Sequence, residues 1–260
     1  MSDPTNPLAM FSLAGKRALL TGSSRGIGYA LARGLAGAGA EVILNARSTD
    51  QLEAAAATLR AEGRTVHTKS FDVTSVPETD KAVAEIEAEI GPIDILFNNA
   101  GVNLRGLLHE VELESWHTVI ATNLDSLFIV SRAVAKGMIA RERGKIVNTC
   151  SVMTQLGRAT TGPYTASKGG VGMLTKAMCA DWARHNIQIN GIAPGYFQTE
   201  LTKPLVDDPE FTAWLCARTP AGRWGDVEEL VGAAIYLSSD AGNFVNGHIL
   251  FVDGGMTSVV

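Results

Sequence analysis

A tyrosine and a lysine lie four residues apart in the stretch Ser151 to Lys168, which reads Ser-Val-Met-Thr-Gln-Leu-Gly-Arg-Ala-Thr-Thr-Gly-Pro-Tyr-Thr-Ala-Ser-Lys. If the stretch ends in a helix, Tyr164 and Lys168 share one face about one turn apart. An ammonium beside a phenol favours the phenolate, so the pKa of Tyr164 is expected to fall from about 10 toward neutrality. Such a phenol can take a proton from a hydroxyl or return it to a ketone. Most tyrosine–lysine pairs at this spacing are surface pairs, so the rest of the chain decides between the two interpretations.

Length and composition limit the classes of protein to which this chain can belong. Its 260 residues, 46% of them hydrophobic, are enough for one large α/β domain with a buried core. The net charge of −5 leaves no basic stripe for phosphates, so we expect no nucleic-acid partner. No apolar run approaches the roughly 20 residues that cross a bilayer, and the N-terminus has no signal-peptide pattern. We therefore expect no membrane attachment.

The cysteines and histidines suggest neither disulfides nor a metal site. The three cysteines are scattered and odd in number, which is typical of reduced thiols in a cytoplasmic protein. The five histidines are also scattered, without the spacing of metal ligands, so no metal is expected.

Short apolar segments that indicate strands alternate with helical segments along the whole chain. Strands are expected at 17–20, 42–44, 93–97, 145–149, 187–192 and 248–252, with a further helix-and-strand unit within 51–71. Strands that alternate with helices of about 10–15 residues indicate βαβ units and a parallel sheet covered on both faces. The predicted fold class is therefore α/β, a Rossmann-type doubly wound sheet of about seven strands.

A single domain over residues 1–260 is the simplest organisation, because the chain has no linker, repeat or break in composition. Within it, residues 1–15 are expected to form a loose N-terminal arm. Residues 196–224 contain Trp214 and Trp224 among charged residues. We expect them to form a partly helical flap near the substrate, with the tryptophans used for packing.

A glycine-rich turn, Thr21-Gly-Ser-Ser-Arg-Gly-Ile-Gly28, lies between the first predicted strand and its helix. At this position the pyrophosphate of a dinucleotide meets the N-terminus of a helix, and glycines let the backbone approach it. The spacing is GxxxGxG, and glycine-rich turns of this kind can also serve packing. The cofactor-binding residues predicted in the turn are Gly22, Ser24, Arg25, Gly26, Ile27 and Gly28.

The end of the second predicted strand favours NADP(H) over NAD(H). An NAD enzyme needs an acidic residue there to bind the ribose 2′-hydroxyl, but this strand ends Leu44-Asn-Ala-Arg47. Arg25 and Arg47 suit a 2′-phosphate, although each could instead be an exposed surface charge. Asp72, at the end of the third strand, could lie near the adenine amine or cap the following helix. The other residues predicted on this side of the cofactor are Asn45 and Val73.

Together these motifs resemble the short-chain dehydrogenase/reductase family over essentially the whole chain. The family's order and spacing are kept by the glycine turn, Asn98-Asn-Ala-Gly101, Asn123, Ser151, Tyr164-Thr-Ala-Ser-Lys168 and Pro194-Gly195. The resemblance implies a catalytic group of Asn123, Ser151, Tyr164 and Lys168. It also implies cofactor contacts from Asn99, Ala100, Gly101, Tyr164, Lys168, Pro194, Gly195 and Thr199.

The C-terminal third is similar to the gluconate-oxidising members of that family. The similar segments are 185–197, 211–220, 223–225 and 244–256, and the opening Phe11-Ser-Leu-Ala-Gly15 fits as well. This resemblance implies interconversion of D-gluconate and 5-keto-D-gluconate, usually with NADP(H), in a homotetramer.

The predicted substrate pocket departs from the sugar-acid members in one respect. Those members usually carry two arginines shortly after the Asn-Asn-Ala-Gly turn, whereas this chain reads Val102-Asn-Leu-Arg105 and keeps only the second. Arg105 can pair with a substrate carboxylate. Arg158 is a second candidate for that role, and it could instead be a charge on a loop surface. The departure leaves the particular sugar acid open.

The chemistry that the resemblance implies is hydride transfer between a carbinol carbon and C4 of the nicotinamide. Tyr164 would be the base in oxidation and the acid in reduction, its pKa lowered by Lys168 and the positive nicotinamide ring. Ser151 would bind and orient the substrate oxygen, and Tyr164 would contact it too. Lys168 is expected to hold the nicotinamide ribose hydroxyls. Asn123 is expected, by resemblance, to hold a water that links Lys168 to solvent, although it could equally be a helix-kink residue.

Two other kinds of function are compatible with this fold. One is another enzyme of the same family, a 3-oxoacyl thioester (acyl-carrier-protein) reductase or a different sugar-acid dehydrogenase, distinguished by residues 102–105 and the flap. A carrier-protein reductase would need a basic rim, against which the net charge of −5 argues. The other is a non-catalytic NADP(H) sensor. A sensor would have no need to keep Ser151, Tyr164 and Lys168 together.

Overall fold

Seven parallel strands form the sheet at the centre of the fold. The structure is a computed structural model that describes residues 6–200 and 202–260. The strands are β1 (Arg17–Leu20), β2 (Glu41–Leu44), β3 (Val66–Thr68), β4 (Ile95–Asn98), β5 (Gly144–Thr149), β6 (Ile187–Pro194) and β7 (Ile249–Val252). Their order across the sheet is β3-β2-β1-β4-β5-β6-β7, and every neighbouring pair is parallel. This order confirms the predicted Rossmann-type α/β fold.

The strand order reverses at β1, and the reversal creates a crevice at the carboxyl edge of the sheet. Leu20 of β1 is paired with Leu44 of β2 on one side and with Phe97 of β4 on the other. In open α/β sheets, ligands bind outside the carboxyl ends of the strands at such a point. The glycine turn follows β1 and the Asn-Asn-Ala-Gly turn follows β4, so both motifs lie at this crevice.

Helices cover both faces of the sheet. They are α1 (Gly26–Gly37), α2 (Thr49–Ala61), α3 (Val76–Glu89), α4 (Leu113–Ile120), α5 (Ser126–Ala140), α6 (Gly162–Trp182), α7 (Lys203–Val206), α8 (Pro209–Arg218) and α9 (Val231–Ser238). Leu20 belongs to a core that includes Leu35 of α1, whereas Leu19 belongs to a second core with Val134 of α5 and Val171 of α6. Successive strand residues point to opposite faces, so the apolar strands bury both sides of the sheet.

The burial of these strands gives the site a rigid base. All eight residues of β6 are buried, and Leu19, Leu20, Ile43 and Leu44 are fully enclosed. Complete burial of a leucine or isoleucine side chain contributes about 1.5–3 kcal/mol to stability. The turns at the carboxyl ends of the strands are therefore held by the most stable part of the fold.

The predicted arm and the predicted flap both contain short helices. Within the predicted arm, Pro7–Phe11 form a 3₁₀ helix, and Leu13 is fully buried with its N–H donating to the carbonyl of Ala38 at 2.9 Å. Leu13 therefore anchors the end of the arm, whereas the 3₁₀ helix before it has no buried residue. Residues 1–5 lie outside the described residues, as does residue 201 of the flap. The flap contains α7 and α8, and a bridge from Phe197 to Gly225 joins its two ends.

A π-helical turn at Ala121–Asp125 interrupts the long helical stretch Leu113–Ala140. The 28 residues of this stretch are apolar enough to cross a membrane by length and composition, but half of the most apolar window is buried inside the protein. Leu127 and Val130 pack in the core against the sheet. Such burial is typical of a core helix in a globular domain.

Candidate active site

The turn after β1 leaves its backbone open toward the crevice. Gly22 and Gly26 have φ angles of +62° and +59°, in the left-handed region that favours glycine. A Cβ at Gly22 would lie 2.8 Å from Cα of Ala100, and one at Gly28 would overlap the carbonyl oxygen of Gly22. A Cβ at Gly26 would meet no atom within 4 Å, so the space beside the turn is open. Because α1 begins there, its unpaired N–H groups point into this space, and the turn fits a pyrophosphate.

Asn99 and Thr21 lock the glycine turn against the end of β4. The side-chain amide of Asn99 donates to the carbonyl oxygens of Gly22 and Thr21, at 2.9 and 3.2 Å. The hydroxyl of Thr21 accepts from the N–H groups of Asn99 and Ala100, at 2.9 and 3.1 Å. The side chain of Asn99 therefore shapes the turn, while Ala100 is half-buried and Gly101 is exposed beside it.

The two arginines predicted at the adenosine end are exposed, and the charge of one of them, Arg47, acts on Asp72. Arg47 is exposed, and Arg25 is exposed with an ion pair of 4.0 Å to Glu200 of the flap. Asp72 accepts from the N–H and the hydroxyl of Thr74, at 2.9 and 2.7 Å. Burial acts to raise the pKa of Asp72, but the hydrogen bonds of Thr74 and the charge of Arg47 hold it below its usual value. Asp72 closes a turn, and a different residue caps α3.

Asn45 connects the end of β2 with the glycine turn and with the segment that follows β3. Its side chain is 1% exposed and donates to the carbonyl oxygens of Lys69 and Phe71, at 3.1 Å each. Its carbonyl accepts from the N–H of Ser23 at 2.9 Å, which ties β2 to the glycine turn. The amide nitrogen of Asn45 is thus used within the fold. Ile27 and Val73 pack against the two cores, and Ser24 is half-buried in the turn.

Ser151, Tyr164 and Lys168 converge beyond the carboxyl end of β5. Ser151 is the N-cap of a 3₁₀ turn at Val152–Thr154, and its hydroxyl accepts from the N–H of Met153 at 3.1 Å. Tyr164 and Lys168 lie near the start of α6, with Nζ of Lys168 5.6 Å from the centre of the tyrosine ring. Nζ also donates to the carbonyl oxygen of Thr149 at 2.5 Å. The structure therefore brings the predicted serine, phenol and ammonium together.

Burial controls the ionisation of this group. It raises the pKa of Tyr164, a hydrogen bond with Ser151 lowers that pKa in part, and Cys150 and Tyr196 raise it further. Burial also lowers the pKa of Lys168 to about 8, and Cys150 raises it in part. The protein alone therefore keeps Tyr164 a neutral phenol, which corrects the expectation that Lys168 brings its pKa down toward neutrality. Removal of the phenolate from water is the largest of these effects on the pKa of Tyr164.

Asn123 lies in the π-helical turn and is 1% exposed. Its side-chain oxygen accepts from the N–H of Val102 at 2.8 Å, and its amide donates to the carbonyl of Val102 at 2.9 Å and to the hydroxyl of Ser167 at 3.1 Å. The hydroxyl of Ser167 in turn donates to the carbonyl of Tyr164 at 2.7 Å. Asn123 therefore connects the loop after β4 with α6. π turns are frequent at functional sites.

Arg158 packs among aromatic rings of the flap. The carbon at the centre of its guanidinium lies 4.5 Å from the ring centre of Phe211 and 6.0 Å from the ring centres of Tyr196 and Trp214. One guanidinium N–H donates to the hydroxyl of Tyr196 at 3.2 Å. Arg158 is therefore half-buried and stacked rather than an open surface charge. Stacking occupies the face of a guanidinium and leaves its edge for a planar anion.

Arg105 lies in the exposed loop after β4 and is electrostatically coupled to Arg158. Burial lowers the pKa of Arg105, the charge of Arg158 lowers it further, and Tyr196 raises it in part. Tyr196 also acts on the pKa of Tyr164. Tyr164 and Tyr196 pack against the same hydrophobic cluster, and Arg158 is hydrogen-bonded to Tyr196. Positive charge beside these phenols favours an anionic group there.

Pro194 and Gly195 carry the chain from β6 into the flap. Pro194 is paired with Val252 of β7, and the N–H of Gly195 donates to the carbonyl of Val252 at 2.9 Å. A Cβ at Gly195 would lie 2.8 Å from Cα of Asp253, so glycine allows this close approach. Thr199 hydrogen-bonds within the following turn, with its hydroxyl 3.0 Å from that of the residue three positions later. Because β6 is the neighbour of β5, the flap begins beside the strand that leads to Ser151.

A family model described as short chain dehydrogenase matches residues 16–210. The chain belongs to the short-chain dehydrogenase/reductase family. It is 57% identical over 248 residues to gluconate 5-dehydrogenase of Gluconobacter oxydans (strain 621H), a match that covers 95% of this chain and 97% of that protein. It is 55% identical over 251 residues to 5-keto-D-gluconate 5-reductase of Escherichia coli (strain K12), over 96% and 99% of the two chains. The solved gluconate 5-dehydrogenase from Burkholderia cenocepacia J2315, in complex with NADP and tartrate, has a TM-score of 0.96 and 55% identity, over 98% of this chain and 100% of that one.

Family membership confirms the resemblance inferred from the motifs and identifies the chain as an oxidoreductase. Three further side chains of the site were not predicted from the sequence. Thr21 opens the glycine turn, Ser167 lies inside the Tyr-Thr-Ala-Ser-Lys segment, and Tyr196 directly follows Pro194-Gly195. Their places inside or next to recognised motifs were the available signal. Their partners are distant in sequence, and residue spacing does not reveal such contacts.

Proposed function

We propose that this short-chain dehydrogenase/reductase interconverts D-gluconate and 5-keto-D-gluconate with NADP(H). The observation that carries the proposal is the half-buried guanidinium of Arg158, which contacts Tyr196 in the cluster that also holds Tyr164, with Arg105 on the loop after β4. Within residues 6–200 and 202–260, the hydrogen-bond partner of Arg158 is a phenol, and no carboxylate pairs with either guanidinium. A sugar acid supplies the complementary carboxylate. The high identity to a gluconate 5-dehydrogenase and a 5-keto-D-gluconate 5-reductase over nearly the full chain supports the same substrate.

In the proposed mechanism, Tyr164 handles the proton and Ser151 holds the substrate oxygen. The phenol oxygen takes the proton of the substrate hydroxyl in oxidation and returns it to the ketone oxygen in reduction. Because the hydroxyl oxygen of Ser151 already accepts from the N–H of Met153, its hydrogen is free to donate to the reacting oxygen. Arg105 and Arg158 anchor the carboxylate, which brings one carbinol carbon into reach. Bound NADP(H) accepts or supplies the hydride, and its positive oxidised ring opposes the effect of burial on the pKa of Tyr164.

Lys168 and Asn123 organise the surroundings of the phenol in this proposal. One N–H of the Lys168 ammonium is directed to the carbonyl of Thr149, and two further N–H donors can hold the ribose hydroxyls of a cofactor. Asn123 fixes α6 to the loop that carries Arg105 through its bonds to Val102 and Ser167. The water link from Asn123 to Lys168 stays a prediction.

We propose NADP(H) rather than NAD(H) as the preferred cofactor. β2 ends in neutral Leu44 and is followed by Asn45 and Ala46, so no carboxylate stands where an NAD enzyme binds the ribose 2′-hydroxyl. The exposed guanidiniums of Arg25 and Arg47 are available to a 2′-phosphate, since the 4.0 Å contact of Arg25 with Glu200 is an exposed pair worth little. The related Burkholderia structure is a complex with NADP, which supports this choice.

We further propose that the protein is a cytoplasmic homotetramer. Each subunit is a single domain of residues 1–260, and its flap lies at the substrate site. Exposed apolar side chains on three neighbouring helices, Leu113, Phe128 and Met173, together with the fully exposed Phe244, favour contacts between subunits. The three cysteines are free thiols, which suits a reducing compartment. Light scattering coupled to gel filtration measures the subunit number directly.

A substrate panel tests the proposed function. NADP⁺-dependent oxidation is measured for D-gluconate and related sugar acids, and NADPH-dependent reduction for 5-keto-D-gluconate, its 2-keto isomer and a 3-oxoacyl thioester. We expect the highest kcat/KM for D-gluconate and 5-keto-D-gluconate. Turnover of the thioester alone would support the acyl-carrier-protein reductase, and turnover of a different sugar acid would reassign the substrate. NADPH binding without turnover of any compound would support the sensor.

A further inference from the structure

Thr154 lies between two residues of the proposed catalytic group. It is the last residue of the 3₁₀ turn that Ser151 caps. Its hydroxyl oxygen accepts from the backbone N–H of Ser151 at 3.2 Å and donates to the backbone carbonyl of Lys168 at 3.2 Å. One hydroxyl therefore joins the turn after β5 to the helix that carries Tyr164 and Lys168.

The methyl group of Thr154 also determines how closely α6 approaches this turn. A Cβ at Gly172 would lie 2.5 Å from Cγ2 of Thr154, so the methyl group occupies the space beside the helix where a side chain would otherwise stand. Lys168 makes the second connection between the same elements, through the bond from its Nζ to the carbonyl of Thr149. The turn and the helix are thus held at two points, on either side of Ser151 in the chain.

The position of Ser151 depends on this turn. Its hydroxyl accepts from the N–H of Met153 at 3.1 Å, and its backbone N–H is held by Thr154. This capping box leaves the hydroxyl hydrogen of Ser151 free for Tyr164 or a substrate oxygen. Loss of the Thr154 hydroxyl therefore removes two hydrogen bonds at once, the one from the N–H of Ser151 and the one to the carbonyl of Lys168.

We propose that Thr154 is a positioning residue of the active site, whose hydroxyl holds Ser151 where it can orient the substrate oxygen toward Tyr164. Thr154 touches neither substrate nor cofactor in this role and acts through the backbone of Ser151 and of Lys168. The inference rests on the oxidoreductase chemistry of Ser151 and Tyr164, and it is independent of which sugar acid is the substrate.

Replacement of Thr154 by valine, serine and alanine separates the hydroxyl from the methyl group. Thr154→Val keeps the shape and removes both hydrogen bonds, so kcat is expected to fall by about 10- to 100-fold, as for other small misplacements of a reacting group. Thr154→Ser keeps the hydroxyl and should restore most of the lost rate. Thr154→Ser and Thr154→Ala both lack the methyl group and differ only in the hydroxyl. If Thr154→Val fails to fold, the comparison of Thr154→Ser with Thr154→Ala still measures the effect of the hydroxyl on kcat.

The pH profile provides a readout that a purely structural role would not change. The hydrogen bond with Ser151 lowers the pKa of Tyr164, so its weakening should raise the apparent pKa of oxidation in Thr154→Val. NADPH affinity, measured by fluorescence, should stay within about twofold of the wild-type value, because Thr154 is outside the proposed cofactor contacts.

Thr175 of α6 offers a matched control for Thr154. Its buried hydroxyl donates to the carbonyl of Val171 at 2.8 Å and accepts from the side-chain amide of Asn148 at 2.9 Å, so it also joins α6 to β5. Thr175→Val should lower the melting temperature and leave kcat and the pH profile unchanged. A Thr154→Val enzyme with wild-type kcat and pH profile, or equal losses in Thr154→Ser and Thr154→Ala, would overturn the proposal. The assay uses whichever substrate the panel identifies, so failure of the gluconate assignment does not affect this test.

Discussion

Replacement of Lys168 by methionine is expected to make the protein more stable and inactive at the same time. The Lys168 side chain is 4% exposed, and burial lowers the pKa of its ammonium from the ordinary 10.5 to about 8. Each unit of pKa shift corresponds to about 1.4 kcal/mol, so the folded state carries a penalty of about 3 kcal/mol for the charge at neutral pH. Methionine fills a similar volume without that charge. It also forfeits the hydrogen bond to the carbonyl of Thr149, worth about 1.5 kcal/mol for a charged donor.

The net expectation is that Lys168→Met stabilises the fold by about 1–2 kcal/mol near pH 7, with a corresponding rise in melting temperature. The pH dependence has a definite sign. A depressed pKa means that the unfolded chain binds more protons than the folded one between about pH 8 and about pH 10.5, so wild-type stability rises with pH across this window. The variant lacks that rise, so its advantage should be largest below about pH 8 and should shrink toward about pH 10.

Urea and thermal unfolding at about pH 7 and about pH 9.5, at one protein concentration, measure this difference. Lys176→Met is the control, because Lys176 lies exposed on the same helix and should change neither stability nor activity. A Lys168→Met protein that is less stable than the wild type near pH 7, or a stability advantage that does not change with pH, would contradict this prediction. Either result would mean that the buried ammonium has compensating partners beyond the carbonyl of Thr149.

The remaining predictions concern the proton, the cofactor and the substrate carboxylate. Tyr164→Phe should reduce turnover by about 10²- to 10⁴-fold with NADPH binding nearly intact, because the ring packing stays and the acid/base group is lost; substantial residual turnover would exclude Tyr164 from that role. Arg47→Asp should shift the ratio of kcat/KM for NADP⁺ and NAD⁺ toward NAD⁺ by about tenfold or more, because a guanidinium that donates hydrogen bonds to the 2′-phosphate is replaced by a carboxylate that accepts one from the 2′-hydroxyl. An unchanged ratio would mean that other residues recognise the 2′-phosphate. Arg158→Met should raise KM for the sugar acid by about tenfold or more, and Arg158→Lys should restore only part of the loss, because lysine cannot form a planar two-point contact or stack in the same way. Equal KM values in the wild type and in Arg158→Met would remove Arg158 from carboxylate binding.

The fold and the spacing of the principal site residues could be inferred from short-range patterns. Alternating apolar strands and helices imply a parallel sheet, and parallel strands place the glycine turn and the Asn-Asn-Ala-Gly turn at one edge. The four-residue interval from Tyr164 to Lys168 places both side chains on one face wherever the segment is helical. These inferences succeeded because they depend on residues only a few positions apart.

The roles of Arg158 and Asn45 depend on residues that are distant in the sequence. In the sequence, Arg158 could not be distinguished from an ordinary loop charge, because the ring stacked on it belongs to Phe211, more than fifty positions later. Asn45 stands beside the predicted ribose site, yet its amide nitrogen donates to the carbonyl oxygens of Lys69 and Phe71. In both cases the neighbours that decide the role of the side chain come from another element of the fold.

Local spacing alone thus accounts for the strand–helix alternation, the glycine turn and the pairing of Tyr164 with Lys168. The packing of distant segments decided the rest, above all the ionisation of that pair. Spacing predicted a Tyr164 pKa lowered by its lysine, whereas the folded chain raises the pKa of Tyr164 and lowers that of Lys168. Attraction between neighbouring charges can be anticipated from residue types, but desolvation depends on how much of the protein surrounds each group, and only the tertiary structure determines that.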